Sequence, residues 1–214
     1  ESTDYTWTGT GSLTGSSKLQ KTGNGTLTIA TDNSGFSGEV LLGGGLVEIQ
    51  NAGELGTGDI VFNGGALKYG TGITTDISGQ LKTDALASNA ILVDTNGNAV
   101  TWASLAGWAG TLTRSGEGSL MLGAGTYEGK LTNEGAGSLT IGAGNASLTG
   151  GIGGTISKTG DGTLTINRNT FINSNGSTLV VESGTLSLRQ DEAAWTGTMN
   201  IVLGENVTMN VPYG

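Results

Sequence analysis

The sequence predicts an all-β fold, a parallel β-helix whose coils are roughly 20 residues long. Three observations predict it. Glycine contributes 41 of the 214 residues and proline only one, so turns are frequent while nearly every backbone amide can still donate a hydrogen bond. Apolar residues alternate with polar ones over short stretches, as in half-buried strands. A glycine-centred unit also recurs at nearly constant spacing, which indicates a repeat architecture.

The repeat unit consists of a cation, a hydroxyl residue, Gly-x-Gly and then alternating polar and apolar residues. Its best copies lie at 21–29, 114–122 and 158–166. The second half of the unit returns after Gly45 and again after Gly65, 20 residues further on. A strand of four or five residues buries only two side chains, so we expect these strands to be stable only when stacked on neighbouring copies.

Stacking the copies in this register predicts two inward ladders of side chains and one outward ladder. The ladders are Leu27, Val47 and Leu67; Ile29, Ile49 and Tyr69; and, facing solvent, Thr28, Glu48 and Lys68. The outward ladder places Glu48 beside Lys68, which is a compatible charge pair. Gly-x-Gly marks a corner at which the backbone needs a positive φ or a close approach.

A second landmark follows the strand and consists of an aromatic residue, any residue and a glycine. It begins at Trp7, Phe36, Trp108, Tyr127 and Trp195. Short β-like segments come after it, as in the residues that follow Phe36. One coil is therefore expected to hold at least two short strands separated by glycine corners.

Two other fold classes compete with the β-helix. An antiparallel β-sandwich would also show short alternating strands, and it remains the alternative, although it accounts less well for the 20-residue step. A globular α/β fold would need helices of about ten residues or more. Only the segments 81–90 and 189–195 could form even a turn or two of helix.

We expect one elongated module over residues 1–214, in which each coil contacts only its neighbours. The repeats are clearest at 19–69 and 112–203 and less regular at 70–111. With a strand spacing of about 4.8 Å, roughly ten coils would make a rod about 50 Å long.

The unit Thr-Gly-x-Gly-Thr-Leu-Thr-Ile, followed by aromatic-x-Gly and Gly-x-Leu-x-aliphatic, resembles the autotransporter-associated β-strand repeat of bacterial type V passenger domains. The match is good at 19–49, 112–142 and 156–203, and loose at 50–111. The resemblance implies a right-handed β-helix that is secreted or displayed on the bacterial cell surface and serves adhesion, aggregation or biofilm formation. It assigns no catalytic residue. The family's translocating barrel is not part of the sequence, so we expect an excised passenger fragment or another anchor.

Composition excludes several kinds of chemistry. The chain has no cysteine and no histidine, which removes zinc, haem, iron–sulfur, Cys–His and Ser–His–Asp sites, and we expect no cofactor and no metal. The net charge is −9 and the nine Lys and Arg residues are scattered, so nucleic acid is a poor partner. Apolar runs are too short for a membrane-spanning helix.

The acidic residues do not predict an active site. Parallel β-helices that cleave polysaccharides need several carboxylates on adjacent coils. The acids here are spread along the chain: Asp59, Asp76, Asp84, Asp94, Asp161, Glu182 and the adjacent pair Asp191-Glu192. We therefore predict no catalytic residue and no enzyme. A carbohydrate-binding or carbohydrate-active β-helix is the alternative.

Two indole rings are the candidate ligand-facing aromatics, Trp102 and Trp108, because exposed rings can stack on sugars. Trp108 begins the same Trp-x-Gly-Thr element as Trp7 and Trp195, and packing over the end of a coil is the other explanation for that element. Trp102 lies outside the repeat, which makes it the better candidate for a ring that faces a ligand.

The function expected from the sequence is display of polar side chains by a stiff extracellular rod. Ladders of Thr, Asn and Glu would make many weak contacts with a like molecule or with a host or glycan surface. Multivalency would then supply the affinity that each contact lacks.

Overall fold

The computed structural model describes residues 2–51, 53–82, 89–103, 105, 107–189 and 195–212. In chain order the strands are β1 (Tyr5–Trp7), β2 (Leu19–Lys21), β3 (Thr26–Ile29), β4 (Val40–Leu42), β5 (Leu46–Ile49), β6 (Ile60–Phe62), β7 (Ala66–Tyr69), β8 (Ala90–Asp94), β9 (Ala99–Trp102), β10 (Thr111–Ser115), β11 (Ser119–Leu122), β12 (Gly125–Tyr127), β13 (Leu131–Asn133), β14 (Ser138–Ile141), β15 (Ala146–Leu148), β16 (Ile152–Gly153), β17 (Thr155–Lys158), β18 (Thr163–Asn167), β19 (Thr178–Arg189) and β20 (Asn200–Asn210). The helices are the 3₁₀ turn Ser78–Gln80 and α1 (Arg168–Ile172).

These strands wind into a right-handed parallel β-helix of about nine turns, so the antiparallel alternative is wrong. Three flat faces enclose one core. The first face is β1-β3-β5-β7-β8-β10-β13-β16, and the second face is β9-β11-β14-β17 with the N-terminal halves of β19 and β20. The third face is β12-β15-β18 with the C-terminal halves of β19 and β20, and near the N-terminus the third side is β2-β4-β6.

The predicted register is confirmed on the first face. Leu27 pairs with Val47, and Val47 pairs with Leu67, in parallel strands. The outward ladder is formed as well, because the Lys68 ammonium lies 3.3 Å from a Glu48 carboxylate oxygen. The 20-residue step therefore carries each side chain onto its counterpart one coil later.

One continuous hydrophobic core runs along the axis of the solenoid. Most strands bury every second residue: in β18, Leu164 and Ile166 are fully buried, while Thr163 and Thr165 are partly exposed. The strands β4 and β6 bury all of their residues. Burial of each such aliphatic side chain contributes about 1.5–3 kcal/mol, and only the stacked coils remove it from water.

Glycine allows the coils to touch at the corners. A Cβ atom on Gly129 would lie 1.6 Å from the carbonyl oxygen of Gly110 in the preceding coil, a distance that no side chain permits. At the predicted Gly-x-Gly corner, Gly116 has a φ of 78°, which is the left-handed conformation that glycine adopts without strain.

The repeat unit changes face along the chain, and the sequence did not predict this. The copy that begins at Lys21 leads onto the first face, the copy at Arg114 onto the second and the copy at Lys158 onto the third. The first change follows a longer coil, in which Leu67 pairs with Val93, 26 residues later, rather than with a residue 20 positions away. This longer coil explains the irregular register at 70–111.

The helix α1 was also not predicted. Asn167 begins it, and its side-chain oxygen accepts a hydrogen bond from the Thr170 amide at 2.9 Å. The two segments in which a helical turn was expected lie largely outside the described residues, since 83–88 and 190–194 are not among them. No helix in the described part of the chain is long and apolar enough to cross a membrane.

The turn that follows α1 covers the last strand of the first face, β16. The Ile152 amide donates to the Ser174 hydroxyl at 2.8 Å, and the Ser177 hydroxyl donates to the Ile152 carbonyl at 3.0 Å. These two buried hydroxyls therefore satisfy backbone groups that a next strand would otherwise pair.

We predict that Leu164→Asp destabilises the fold by about 3–5 kcal/mol, because it places an unpaired charge in the closed core. Thr163→Asp is the matched control, since it puts the same carboxylate on the neighbouring outward position and should cost less than about 1 kcal/mol. Urea unfolding followed by circular dichroism measures both changes. Equal losses in the two variants would contradict the inward and outward assignment.

Candidate functional site

Neither predicted ligand-facing ring is exposed, so that prediction is corrected. Trp102 is 0% exposed, and its indole N–H donates to the Tyr69 hydroxyl at 2.9 Å. That hydroxyl in turn donates to the Thr75 carbonyl at 2.9 Å, and burial raises the pKa of Tyr69 well above its usual value. Trp108 is also buried, at 7% exposed. A sugar therefore has no access to the face of either ring.

The sequence did contain a signal for the burial of Trp102. In β9 the exposed residues Ala99 and Thr101 alternate with the buried residues Val100 and Trp102, so the ring occupies an inward position. The aromatic-x-Gly elements behave as corners that pack on the core, which is the other explanation that the sequence left open. Tyr127 is buried in this way, and its hydroxyl donates to the Gly123 carbonyl.

The acidic residues make local structural contacts. Asp76 accepts hydrogen bonds from the Ser78 amide at 2.8 Å and from the Ala103 amide at 2.9 Å, and Asp94 accepts one from the Asn96 amide. Within the described ranges, no group of three or more acidic side chains is placed to hold a metal ion. Asp84, Asp191 and Glu192 lie outside those ranges.

The cation of the repeat unit points into the solenoid. Lys158 is 0% exposed, and its ammonium donates to the carbonyl oxygens of Thr159 at 2.6 Å, Gly160 at 3.0 Å and Asp161 at 3.3 Å. Burial lowers the pKa of Lys158, and the nearby Asp161 carboxylate offsets part of that effect. The lysine thus satisfies the carbonyl groups of its own Gly-x-Gly corner.

Arg114 plays the same part in another copy of the unit. It is 0% exposed, and its guanidinium donates to the Gly118 carbonyl at 3.1 Å, to Asn133 Oδ1 at 3.2 Å and to Thr95 Oγ1 at 3.3 Å. Burial lowers the pKa of Arg114, partly offset by Asp94. Sequence reasoning missed this role, although the alternation in β10 places Arg114 on the buried side.

Burial of these cations changes the charge that the chain presents to solvent. Among the described residues, the cations of Arg114 and Lys158 are fully buried, and three further lysines form ion pairs at the surface. The ion pairs are Lys18–Glu39, Lys68–Glu48 and Lys82–Asp59. With a net charge of −9, the solvent-facing charge is therefore predominantly acidic.

One broad surface consists of twelve uncharged outward residues, and we call it the hydroxyl face. It lies on the second face, which spans six strands, and the exposed carboxylates of Glu182 and Glu205 lie at its edge. The twelve residues are Ala99, Thr101, Ser119, Met121, Ser138, Thr140, Thr155, Ser157, Thr178, Val180, Asn200 and Val202. None of their side-chain hydroxyls is engaged in a hydrogen bond within the described chain.

The third face carries an open groove of about 310 Å³. Thr126, Ser147 and Thr165 form an outward ladder along it, because these residues pair across β12, β15 and β18. Asn145 lies at its edge, and its side-chain oxygen accepts the Thr163 amide at 2.9 Å. The groove is polar and uncharged, which suits a neutral, hydroxyl-rich ligand.

Comparison of the chain with protein-family models, with curated proteins and with solved structures gives no match. The β-helix itself is therefore established by the strand pairing alone. The autotransporter-associated repeat stays a resemblance between sequences.

We predict that Lys158→Met costs about 1–3 kcal/mol of stability, because the Thr159, Gly160 and Asp161 carbonyls lose their buried donor. Lys130→Met is the control: Lys130 is exposed, and its loss should change stability by less than about 0.5 kcal/mol. Chemical unfolding of the three proteins measures the difference. A Lys158→Met protein as stable as the Lys130→Met protein would contradict the role given to this buried ammonium.

Proposed function

We propose that this chain is a non-enzymatic module of a secreted or bacterial cell-surface protein that acts in adhesion or self-association. The observation that carries the proposal is the hydroxyl face: a flat array of unengaged hydroxyls and small side chains over six parallel strands. Such a surface is suited to many weak contacts rather than to one tight site. The resemblance to autotransporter-associated repeats supports the location outside the cell.

A stiff rod makes this kind of display effective. Each coil is held to the next by parallel backbone pairing and by the shared core, so the outward side chains keep a fixed spacing of about 4.8 Å along the axis. A partner with its own periodic surface can then engage several coils at once. Contacts within such an array form at a high effective concentration, which compensates for the low affinity of each one.

Carbohydrate binding is the second candidate function, and the groove on the third face favours it. Thr126, Asn145, Ser147 and Thr165 offer hydroxyl and amide groups that can both donate and accept hydrogen bonds, as a neutral glycan requires. A ligand in this groove would be bound by polar contacts, because Trp102 and Trp108 are buried elsewhere.

We predict that bacteria displaying the chain sediment faster than cells that carry the anchor alone, since multivalent display converts weak contacts into cell–cell adhesion. A glycan array probed with the purified chain tests the second candidate in parallel. Ser147→Arg fills the groove on the third face, and Thr113→Arg adds the same side chain to the first face as a control.

The outcomes separate the two candidates. Sedimentation without glycan binding supports the adhesion or self-association module. Glycan binding that is lost in Ser147→Arg and kept in Thr113→Arg supports the carbohydrate-binding module. If the displayed chain neither aggregates cells nor attaches to any glycan or host-cell surface, the proposed function is wrong.

A further inference from the structure

We propose that Asn24 is a site of spontaneous deamidation, through which the chain modifies its own first Gly-x-Gly corner. The backbone nitrogen of Gly25 attacks the side-chain carbonyl carbon of Asn24, ammonia leaves, and a five-membered cyclic imide forms. Water then opens the ring at either carbonyl and leaves an aspartate or an isoaspartate at position 24. Water is the only co-reactant. The inference goes beyond the proposed function and does not depend on it.

The reaction is fastest where glycine follows asparagine, and the chain has four such pairs. They begin at Asn24, Asn63, Asn96 and Asn175. Glycine has no side chain to obstruct its nitrogen, and it adopts the backbone conformations that ring closure requires. Because the step is intramolecular, the two reacting groups are always close, and their freedom to align determines the rate. The contacts of each pair therefore decide which asparagine reacts.

The pair at Asn96 is held at both reacting groups. The Asn96 side-chain amide donates to the Tyr69 carbonyl at 2.9 Å. The Gly97 amide, which would be the attacking nitrogen, donates to the Glu117 carbonyl at 3.1 Å. Both hydrogen bonds must break before the nitrogen can reach the side-chain carbon, so folding protects this pair.

The pair at Asn175 is held in a similar way, although Asn175 is exposed. Its side-chain oxygen accepts a hydrogen bond from the Thr198 amide at 2.9 Å, and the Gly176 amide donates to the Thr198 hydroxyl at 3.3 Å. Asn63 also has an interaction partner. Exposure alone therefore does not select the reactive site.

Asn24 is the pair whose reacting groups are both free. Its side chain is exposed, and it makes no hydrogen bond with the described part of the chain. The Gly25 amide likewise has no hydrogen-bond acceptor among the described residues. Nothing in the fold thus holds this side chain away from the nitrogen that would attack it.

The aspartate product already exists in another copy of the repeat. The units that begin at Lys21 and Lys158 differ only in that Asn24 stands where the second unit has Asp161. The ammonium of Lys21 donates to carbonyl groups of its corner, as that of Lys158 does. The second corner accommodates a carboxylate beside this ammonium, so an aspartate at position 24 should preserve the fold.

The isoaspartate product has a different consequence. Its main chain passes through the former side-chain carbon and gains one atom. The backbone of Gly25 already packs so closely on the preceding segment that a Cβ atom would overlap the Thr3 carbonyl. The extra atom therefore loosens this contact of the first coil. Both products add one negative charge to a chain whose net charge is −9, so ion exchange separates them from the original.

The experiment follows deamidation at each pair by mass spectrometry of proteolytic peptides. The purified chain is kept in mildly alkaline buffer, which favours loss of the proton from the attacking nitrogen, either folded or in urea. In urea the pairs should react at similar rates. In the folded chain Asn24 should keep a rate close to its rate in urea. Asn96 and Asn175 should slow by about tenfold or more, since two hydrogen bonds hold each pair.

Substitutions test the same site in the folded chain. Asn24→Gln should stop most of the acidic species from accumulating, because the longer side chain would have to close a less favourable six-membered ring. Asn175→Gln is the matched control and should leave that accumulation unchanged. Asn24→Asp supplies the product directly, and thermal melting should show it to be as stable as the original chain.

Three results would overturn the inference and leave the proposed function standing. The first is an Asn24 that slows on folding as much as Asn96 does, which would show that the corner protects it. The second is an Asn24→Gln chain that acquires negative charge as fast as the original chain, which would place the reaction at another residue. The third is a clear loss of stability in Asn24→Asp, which would show that this corner does not accept the product.

Discussion

The structure depends on direct contact between the backbones of successive coils at their corners. At Gly162, in a Gly-x-Gly corner, a Cβ atom would lie 2.4 Å from the Gly144 carbonyl of the preceding coil, so a methyl group would not fit. Such contact also excludes water from carbonyl groups that point into the corner, and buried carbonyls need donors. Lys158 and Arg114 supply those donors in two copies of the repeat. The glycines permit the close approach of the coils, and the buried cations donate to the carbonyls that this approach buries. This explains why the repeat unit contains both.

Burying these cations has a consequence for the surface. A lysine or arginine that donates to corner carbonyls is itself hidden from solvent, so the charges that remain exposed are more acidic than the sequence suggests. The remaining charges are placed on the first face and at the corners, as Glu48, Asp94 and Glu117 illustrate. The hydroxyl face, by contrast, presents hydroxyls, one amide and apolar groups, and its nearest carboxylates, Glu182 and Glu205, lie at its edge. The chain thus combines a net charge of −9 with two uncharged surfaces, the hydroxyl face and the groove on the third face.

The sequence predicted the coils well where the alternation along each strand agrees with the 20-residue step between coils. Alternation along a strand and the 20-residue step together placed Leu27, Val47 and Leu67 in one ladder. The change of face was not predictable, because it depends on the longer coil that precedes Val93, and local alternation does not reveal how much chain a coil uses. The hydroxyl face was missed for the same reason, since its members belong to different parts of the repeat unit. Trp102 is a different case: the alternation in β9 marked it as buried, and its aromatic character suggested a ligand instead.

The β-helix folds independently of which side chains its strands present to solvent. Thr28, Glu48 and Lys68 occupy the same outward position in three successive coils, so the strand accepts a hydroxyl, an acid or a base there. Folding therefore does not require the outward residues of any face to be neutral. The hydroxyl face nevertheless carries no charge at its twelve outward positions, with Glu182 and Glu205 at its edge, on a chain whose net charge is −9. Because the core constrains only the inward positions, the surface of this chain can change without a change of fold.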